Sequence, residues 1–320
     1  MSEPGPLGEL PLARHTVDRD EPGRFTPGGL AALHAMPGAR VLEIDGGRLP
    51  VRAGRLVLRT ASTADPERLI AYLGRTARTD SGRGEPVPVL LAQRRPTART
   101  HEDSDDLWQG LRLSGAHLDD TDAGLATAAV ALDHWHRVSG FCARCGGRTA
   151  SERAGWMRRC DTCRAEIFPR TDVAVIVVVL DTRDRLLLGS NVIWGQNRFS
   201  LLAGFVEAGE TPERTVVREI EEEAGIRVGT PLYRASQPWP FPQSLMLGYE
   251  VQLADGEEAD NATPDGEEIV ALRWFDRETL RAEVNAGAVR APGPASIART
   301  LIDEWLQRDG GPALPDEDAW

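Results

Sequence analysis

Lysine is absent from this 320-residue sequence, in which all 37 basic residues are arginine. The absence excludes three kinds of chemistry: a P-loop with its phosphate-binding lysine, a lysine Schiff base and a lysyl-nucleotide intermediate. Any phosphate chemistry carried out by the chain must therefore depend on arginine, on backbone amides or on metal ions.

The sequence also lacks a long hydrophobic run, and no basic segment followed by an apolar one stands near its start. The longest apolar run, VAVIVVVL at residues 173–180, has the length of a buried strand and falls short of the ~20 residues that cross a bilayer. The net charge of −12 argues against a chain-wide electrostatic attraction to nucleic acid. We therefore expect a cytoplasmic protein that does not associate with membranes.

Cysteine is scarce, and its four copies lie in one stretch as two Cys-x2-Cys pairs. The pairs are Cys142 with Cys145 and Cys160 with Cys163. Four thiolates brought together in this way suit a closed, structural Zn²⁺ site. Two disulfides are the alternative, but nothing in the sequence suggests an oxidising compartment. Because such ribbons often bind nucleic acid, a nucleic-acid-binding protein is a second class of hypothesis.

Short apolar segments predict more than one domain. In the first part of the chain, the segments RVLEI (40–44), RLVLRT (55–60) and VPVLLA (87–92) read as strands between Gly-, Pro- and Asp-rich loops. Residues 122–138 have apolar positions at helical spacing, and within them His134, Trp135 and His136 are interpreted as packing or solvated groups, not metal ligands. From residue 171 the pattern is strand, hairpin, helix, two strands and two helices, a mixed α/β order.

The segment from Gly204 to Ile226 predicts a helix with clustered carboxylates. Thr211 is a good N-cap, Pro212 suits the first helical position and Gly225 can close the helix in a left-handed conformation. One face carries three carboxylates about one turn apart: Glu219, Glu222 and Glu223. Such hard oxygen ligands suit Mg²⁺ or Mn²⁺, whereas a solvated acidic face is the alternative interpretation.

The full pattern of this segment resembles the Nudix hydrolase signature at every position. It reads Gly204, five residues, Glu210, seven residues, Arg218-Glu219-Ile220, one residue, Glu222-Glu223, one residue, Gly225-Ile226. The resemblance implies an α/β/α sandwich with a mixed sheet, and hydrolysis of a nucleoside diphosphate linked to another group. It also implies catalytic Mg²⁺ or Mn²⁺ held by the glutamates, with Glu222 or Glu223 as the general base and Arg218 pairing with the cluster.

Two further features resemble the NADH pyrophosphatase family within that superfamily. The four cysteines precede the signature, and SQPWPFPQS (236–244) follows it after about ten residues. The similarity runs from about Leu111 to Ile302 and implies cleavage of NADH or NAD⁺ to nicotinamide mononucleotide and AMP by a homodimer. Removal of NAD caps from RNA 5′ ends by the same chemistry is an alternative. From the other class, the alternative is a zinc-ribbon nucleic-acid-binding protein with a vestigial hydrolase domain.

The resemblance implies further site residues. The carbonyl of Ala203 and the carboxylate of Glu268 would complete the metal site, with Glu267 as the neighbour most easily confused with Glu268. Arg112 is a candidate for the family's N-terminal substrate arginine, although its local match is thin. Residues that would contact the substrate are Phe168 (where relatives often have Tyr), Phe205, Gln237, Pro238, Trp239, Pro240, Phe241, Pro242, Gln243, Ser244 and, through its backbone, Ala298.

We therefore predict an α/β protein of several parts. An α+β, Nudix-like N-terminal domain would occupy residues 1–138 and a zinc ribbon residues 139–170. The catalytic Nudix domain would occupy residues 171–306, followed by an acidic tail at 307–320. The role of the N-terminal domain is not indicated by the sequence.

Overall fold

The structure, a computed structural model, describes residues 10–79, 82–94 and 107–316. The predicted tail is thus described only as far as Asp316. The described chain divides into two compact units. We call residues 12–171 with Trp239–Gln243 the cysteine unit, and residues 10–11, 172–238 and 244–316 the carboxylate unit. Among the described residues, no helix is both long enough and apolar enough to cross a membrane.

The cysteine unit contains two small sheets and a ribbon. The sheets have the strand orders β4-β1-β6-β5 and β3-β2-β7, and the ribbon has the order β10-β9-β8. Its elements are α1 (Gly29–His34), β1 (Arg40–Ile44), β2 (Arg48–Arg52), β3 (Arg55–Leu56), β4 (Leu58–Thr60), β5 (Leu69–Thr79), β6 (Gly82–Gln93), β7 (Leu107–Gly110), α2 (Leu111–Ser114), α3 (Asp120–Val138), β8 (Thr149–Glu152), β9 (Met157–Cys160) and β10 (Glu166–Ile167).

The strands predicted in this unit are confirmed with one difference. β1 coincides with the segment RVLEI, and β6 contains VPVLLA. The segment RLVLRT is not one strand, because the chain changes sheets within it: β3 pairs with β2, whereas β4 pairs with β1. At the change of sheet, the Val57 N–H donates to the Pro50 carbonyl at 2.9 Å. A strand shared between two sheets is decided by tertiary pairing, which local propensity does not encode.

Helix α3 is the long helix of the cysteine unit and begins two residues before the predicted segment. The side chain of Asp119 caps it by accepting a hydrogen bond from the Asp122 N–H at 2.8 Å. Trp135 is buried in the helix, as the sequence predicts for a packing residue.

The carboxylate unit is built on a six-stranded mixed sheet with the order β14-β15-β11-β12-β16, and with β13 paired to β11. β11 and β15 are parallel, whereas β13 and β12 run antiparallel to β11. Three strands follow the central helix, one more than predicted. The elements are β11 (Asp172–Leu180), β12 (Leu186–Asn191), β13 (Leu202–Phe205), α4 (Pro212–Ala224), β14 (Leu232–Trp239), β15 (Ser244–Gln252), β16 (Ile269–Phe275), α5 (Arg277–Asn285) and α6 (Ile297–Gln307).

Strand β11 lies at the centre of this unit because its β-branched side chains are buried on both faces. Since successive side chains point to opposite faces, the alternate residues Val175, Val177 and Val179 pack in one cluster with residues of α4. On the opposite face, Gly248 of β15 approaches Ile297 and Leu301 of α6. The predicted arrangement, a mixed sheet between helices, is confirmed.

Candidate active site

Helix α4 carries the clustered glutamates and is fixed at both ends by its sequence. The Thr211 side chain accepts a hydrogen bond from the Arg214 N–H at 3.4 Å, and Gly225 closes the helix with φ 67°. Val216 and Ile220 are fully buried against the sheet. The packing of this apolar side fixes the rotation of the helix, and with it the direction of the glutamate side chains.

Strand β13 passes so close to helix α4 that any side chain at position 204 would displace the Glu219 carboxyl. A Cβ atom on Gly204 would lie 1.9 Å from Cδ of Glu219, far inside any permitted contact. Beside it, the Ala203 N–H donates a hydrogen bond to the carboxylate of Glu223. Ala203, Glu219 and Glu223 are therefore brought together, as the metal site predicted from the sequence requires.

Arg218 connects the carboxylates of the site to one another. Its NH1 group donates to Glu219 at 3.0 Å and to Glu222 at 2.8 Å. Its Nε and NH2 groups donate to the two oxygens of Glu210 at 3.0 and 2.9 Å. NH2 also donates to the Phe205 carbonyl at 3.0 Å. The pairing role predicted for Arg218 is confirmed, and its planar fork explains why arginine suits the position.

The pair of Glu210 and Arg218 is permanently charged. Hydrogen bonds from Arg218, and then one from the Thr215 hydroxyl at 2.7 Å, lower the pKa of Glu210 to about 2. The hydrogen bonds with Glu210 in turn raise the pKa of Arg218 above its usual value. The signature residue Glu210 therefore holds Arg218 in place, and Arg218 holds the carboxylates.

Glu223 is a buried carboxylate whose charged form is disfavoured by its surroundings. Its side chain is only 5% exposed. This burial, together with the negative charges of Glu219, Glu268 and Asp265, raises its pKa to about 8. Within the described part of the chain, its Oε2 atom has no hydrogen-bond partner. A bound divalent cation would compensate both the burial and the repulsion, so these residues fit such an ion.

Glu268 reaches the same cluster from the loop before β16. Burial, and after it nearby charges that include Glu268, raise the pKa of both Glu219 and Glu223, so Glu268 lies close enough to act on both carboxylates. Asp265 shapes this loop, since its Oδ1 accepts hydrogen bonds from the N–H groups of residues 267, 268 and 269 at 2.9, 3.1 and 2.9 Å. Asp265 is not among the predicted residues, although the Pro-Asp-Gly turn could have indicated it.

The four cysteines form a second, tighter cluster. Their sulfur atoms all lie within 4.8 Å of one another, and no other group of three or more potential ligands in the described residues is gathered so closely. The Cys163 N–H donates to Sγ of Cys160 at 3.4 Å and lowers the pKa of that thiol to about 6. A thiolate is the form that Zn²⁺ binds. All four cysteines are free, so the disulfide alternative does not apply.

We call residues 236–244 (SQPWPFPQS) the Pro-aromatic segment, and two of its rings lie beside an arginine of the cysteine unit. The ring centroids of Trp239 and Phe241 lie 4.9 Å apart in an edge-to-face arrangement. The guanidinium carbon of Arg112 lies 5.1 Å from the first centroid and 4.4 Å from the second. This contact is made only in the folded chain, and the substrate role of Arg112 stays a prediction.

Two residues predicted to contact the substrate are used inside the fold. Gln237 is fully buried, and its Nε2 donates to the Ala295 carbonyl at 3.0 Å. Ala298 is also buried, and its N–H donates to Oγ of Ser296 at 3.2 Å, which caps helix α6. In this structure, the Gln237 amide ties the end of β14 to the segment that precedes α6.

The two phenylalanines predicted to stack on a base are both exposed. Phe205 ends strand β13 in the carboxylate unit with 58% of its surface exposed, and Phe168 follows the ribbon in the cysteine unit with 48% exposed. Exposure on this scale is unusual for phenylalanine. Both rings are therefore available to a flat ligand.

Two family models match this chain. The model described as NUDIX domain matches residues 170–292, and the model described as NADH pyrophosphatase zinc ribbon domain matches residues 137–168. The first match covers the carboxylate cluster, and the second covers all four cysteines.

Similar proteins are known from several bacteria. A Mycobacterium bovis protein named NAD-capped RNA hydrolase NudC is 39% identical over 310 residues, which cover 93% of this chain and 96% of the relative. A Stutzerimonas stutzeri protein of the same name is 39% identical over 215 residues, covering 65% and 72%. Among solved structures, a Nudix hydrolase from Nitrosomonas europaea is 22% identical and covers 55% of this chain and 96% of that one, with a TM-score of 0.43.

Proposed function

The chain belongs to the NADH pyrophosphatase family of Nudix hydrolases, and from this membership we propose that it cleaves the pyrophosphate bond of NADH or NAD⁺ to nicotinamide mononucleotide and AMP. The observation that carries the proposal is Glu223, a buried carboxylate with an unpartnered oxygen beside Glu219 and Glu268. A protein that only binds nucleic acid has no use for so costly a cluster. This argues against a vestigial hydrolase domain.

We propose that the carboxylate cluster binds Mg²⁺ or Mn²⁺, because hard oxygen ligands favour these ions. Its ligands would be Glu219, Glu223 and Glu268 with the Ala203 carbonyl. When bound, such an ion neutralises the pyrophosphate charge and activates water. The zinc of the four cysteines is structural, since four protein ligands leave it no open position.

Among the glutamates, we propose Glu222 as the proton acceptor. Its side chain is 58% exposed and can meet a water molecule, whereas Glu223 is enclosed. The hydrogen bond from Arg218 at 2.8 Å keeps Glu222 oriented. A carboxylate that is both oriented and accessible meets the geometric requirement for a general base.

Recognition of the substrate would involve exposed rings and a preset loop. We propose that Phe205 in the carboxylate unit and Phe168 in the cysteine unit each offer a ring for stacking on a base, and that the Pro-aromatic segment with Arg112 binds the dinucleotide. The guanidinium above Trp239 and Phe241 offers a cation for a phosphate group. Because the prolines restrict this loop, little ordering entropy is lost on binding.

Removal of NAD caps from RNA 5′ ends is the second candidate, supported by the names of the relatives. Both candidates break the same bond, so the test is a comparison of substrates. We would measure kcat/KM for NADH, NAD⁺, ADP-ribose and NAD-capped RNA, with the Glu223→Gln variant as the inactive control. Activity on none of the four would contradict the proposed function. A preference of at least tenfold for capped RNA would select the second candidate.

We further propose that the enzyme is a homodimer and acts in the cytoplasm. The first follows from the family resemblance and is testable by light scattering. The second is supported by the four free cysteines, since reduced thiols persist in reducing compartments.

A further inference from the structure

A cavity of about 350 Å³ lies entirely within the cysteine unit and is lined by rings and charged groups. We call it the aromatic pocket and define it by Phe25, Trp156, Phe168, Arg24 and Arg153, with Glu21 as the acidic member of its lining. The family resemblance assigns only Phe168 of these residues to the substrate. The use of the other residues has to be inferred from their chemistry.

The pocket presents aromatic faces to solvent around one cation. Phe25 is 58% exposed and Phe168 48% exposed. The guanidinium carbon of Arg153 lies 5.5 Å from the centroid of each ring. A nucleobase stacks on an aromatic ring more strongly than an exposed guanidinium does, so a base can replace Arg153 on these faces. The displaced guanidinium would then be free to meet a phosphate.

A second arginine is held at the same pocket by a fixed ring. The indole N–H of Trp156 donates to the Tyr72 carbonyl at 2.6 Å, which fixes the orientation of the ring. The Arg24 guanidinium carbon lies 3.8 Å from the Trp156 centroid. In the part of the chain that the structure describes, the Arg24 Nε has no hydrogen-bond partner. The pocket thus contains two cations whose charges are only partly used within the protein.

The backbone beside the pocket has a left-handed conformation at three consecutive residues. Arg153 and Ala154 adopt φ values of 49° and 48°, which non-glycine residues rarely adopt, and Gly155 follows with φ 90°. A Cβ at Gly155 would lie 2.2 Å from the Ile70 carbonyl oxygen. His136 hydrogen-bonds to the Gly155 carbonyl at 2.9 Å. Strain maintained in this way is typical of functional positions, and here it sets where Arg153 projects.

We propose that the aromatic pocket binds a nucleotide, with its base on Phe25 and Phe168 and its phosphate paired with Arg153 and Arg24. Glu21 would accept a hydrogen bond from an exocyclic amino group, which favours adenine over uracil. The ion pair between Arg153 and Glu166, at 3.5 Å and partly exposed, is weak enough for a phosphate to replace. The proposal rests on the proposed function, since the nucleotide is either part of the dinucleotide or the next residue of a capped RNA.

Binding without turnover is the direct test. The probe is a 5′-phosphorylated RNA of eight adenosines with a 3′ fluorescein, titrated with the full-length, zinc-loaded Glu223→Gln variant. In that background, Phe25→Leu should raise the Kd about tenfold to a hundredfold, the range for loss of one stacked base. Arg153→Asn should also raise it, because asparagine tolerates the left-handed backbone but has no charge. Arg153→Lys should restore part of the affinity.

Phe141→Leu is the matched control. Phe141 is 64% exposed and has its own arginine, Arg148, at 5.7 Å, but it does not line the pocket. Its replacement should leave the Kd unchanged, and zinc content and Tm should match the parent in every variant. Unchanged affinity in both Phe25→Leu and Arg153→Asn would overturn the proposal. Equal weakening by Phe25→Leu and Phe141→Leu would overturn it too, since the attraction would then be unspecific.

Turnover then identifies the source of the nucleotide. With Glu223 intact, a fall in kcat/KM for Phe25→Leu on both NAD⁺ and NAD-capped RNA assigns the pocket to a base of the dinucleotide. A fall on capped RNA alone assigns it to the RNA. If the wild-type protein hydrolyses neither substrate, the proposed function fails, while the titration still decides whether the pocket binds a nucleotide.

Discussion

The cysteine tetrad and the carboxylate cluster both collect ligands of like charge, but they do so in opposite ways. The four sulfur atoms lie within 4.8 Å of one another, and a backbone N–H already favours the thiolate of Cys160. The glutamates are spread more widely, and burial together with their mutual repulsion raises the pKa of Glu223 to about 8. The four cysteines can supply all the ligands of one zinc ion. The glutamates, by contrast, would leave part of an ion's coordination shell open.

The difference separates a site that serves folding from one that serves chemistry. In a closed tetrahedral site, the free energy of metal binding stabilises the folded protein. An open carboxylate site must keep positions for water and substrate, so its ligands are held by other means. Here that means Arg218, which is bound to Glu210 from the opposite side. We therefore expect the carboxylate unit to keep its fold whether or not the proposed ion is bound.

The largest effect is expected from breaking the closed site. Cys160→Ser should release about one zinc per chain, because four thiolates around one ion are needed for a closed shell. It should lower the free energy of unfolding by more than about 4 kcal/mol, the range reached when a structural metal is lost. Zinc content by mass spectrometry and denaturant unfolding are the measurements. A stable variant without zinc would place the tetrad outside the folding unit.

Glu223→Gln, in contrast to Cys160→Ser, should remove activity and leave the fold intact. The amide keeps the shape but loses the charge, so kcat should fall by at least ~10²-fold, the scale of losing one electrostatic contact to the transition state. The Tm should stay level or rise, since burial and then the charges of Glu219 and Glu268 raise the pKa of Glu223 to about 8, and an amide avoids the cost of placing an ionisable group there. Glu221→Gln, the same change at an exposed position of α4, is the control. Equal turnover in both variants would remove α4 from the metal site.

Gly204→Ala tests whether the close contact between β13 and α4 is needed for the carboxylate site. The new methyl group would overlap the Glu219 carboxyl, and overpacking of this kind costs about 1–3 kcal/mol. Calorimetry should show the loss of stability together with a lower affinity for activating metal. Gly229→Ala, where the nearest atom to a Cβ lies 3.6 Å away, should change neither. Identical behaviour of the two variants would mean that α4 can move away from β13.

The smallest effect is expected for Phe205→Ala. This variant tests whether recognition of the base is separate from the chemistry at the metal site. Loss of stacking should lower kcat/KM for NADH about tenfold to a hundredfold, mostly through KM. A pyrophosphate ester without a base should be hydrolysed as before. An equal loss on both substrates would indicate that residue 205 acts by holding Arg218, to which its carbonyl is hydrogen-bonded.

Much of both sites could be predicted because their residues are close in sequence. Thr211, Gly225 and the i, i+3, i+4 glutamates define helix α4 locally, and the cysteine pairs define the knuckles. Asp265, by contrast, acts through three backbone N–H groups of a loop. Its position near Glu223, whose pKa is raised by burial and then by neighbouring charges that include Asp265, depends on the arrangement of β16 beside β12, which no local pattern encodes.

The remaining differences have the same physical origin. Arg112 meets Trp239 and Phe241 across more than a hundred residues, and the aromatic pocket joins Phe25 to Phe168 over a similar interval. The motif predicts a substrate contact for Gln237. In the structure its side chain is buried and donates a hydrogen bond to the Ala295 carbonyl. Contacts at such sequence separation depend on packing, and single-residue chemistry does not reveal them.

Arg218 has a consequence for how such a protein would respond inside a cell. Because its guanidinium is always charged and already neutralises part of the glutamate cluster, we expect the site to keep its fold without the ion proposed for it. A change in free magnesium or manganese would then change the rate of the enzyme and leave its stability unchanged. Zinc supply would act at synthesis, on how many copies survive quality control. The two metals would thus affect different properties of the protein. Magnesium or manganese would set its turnover rate, and zinc would set how much folded protein is present.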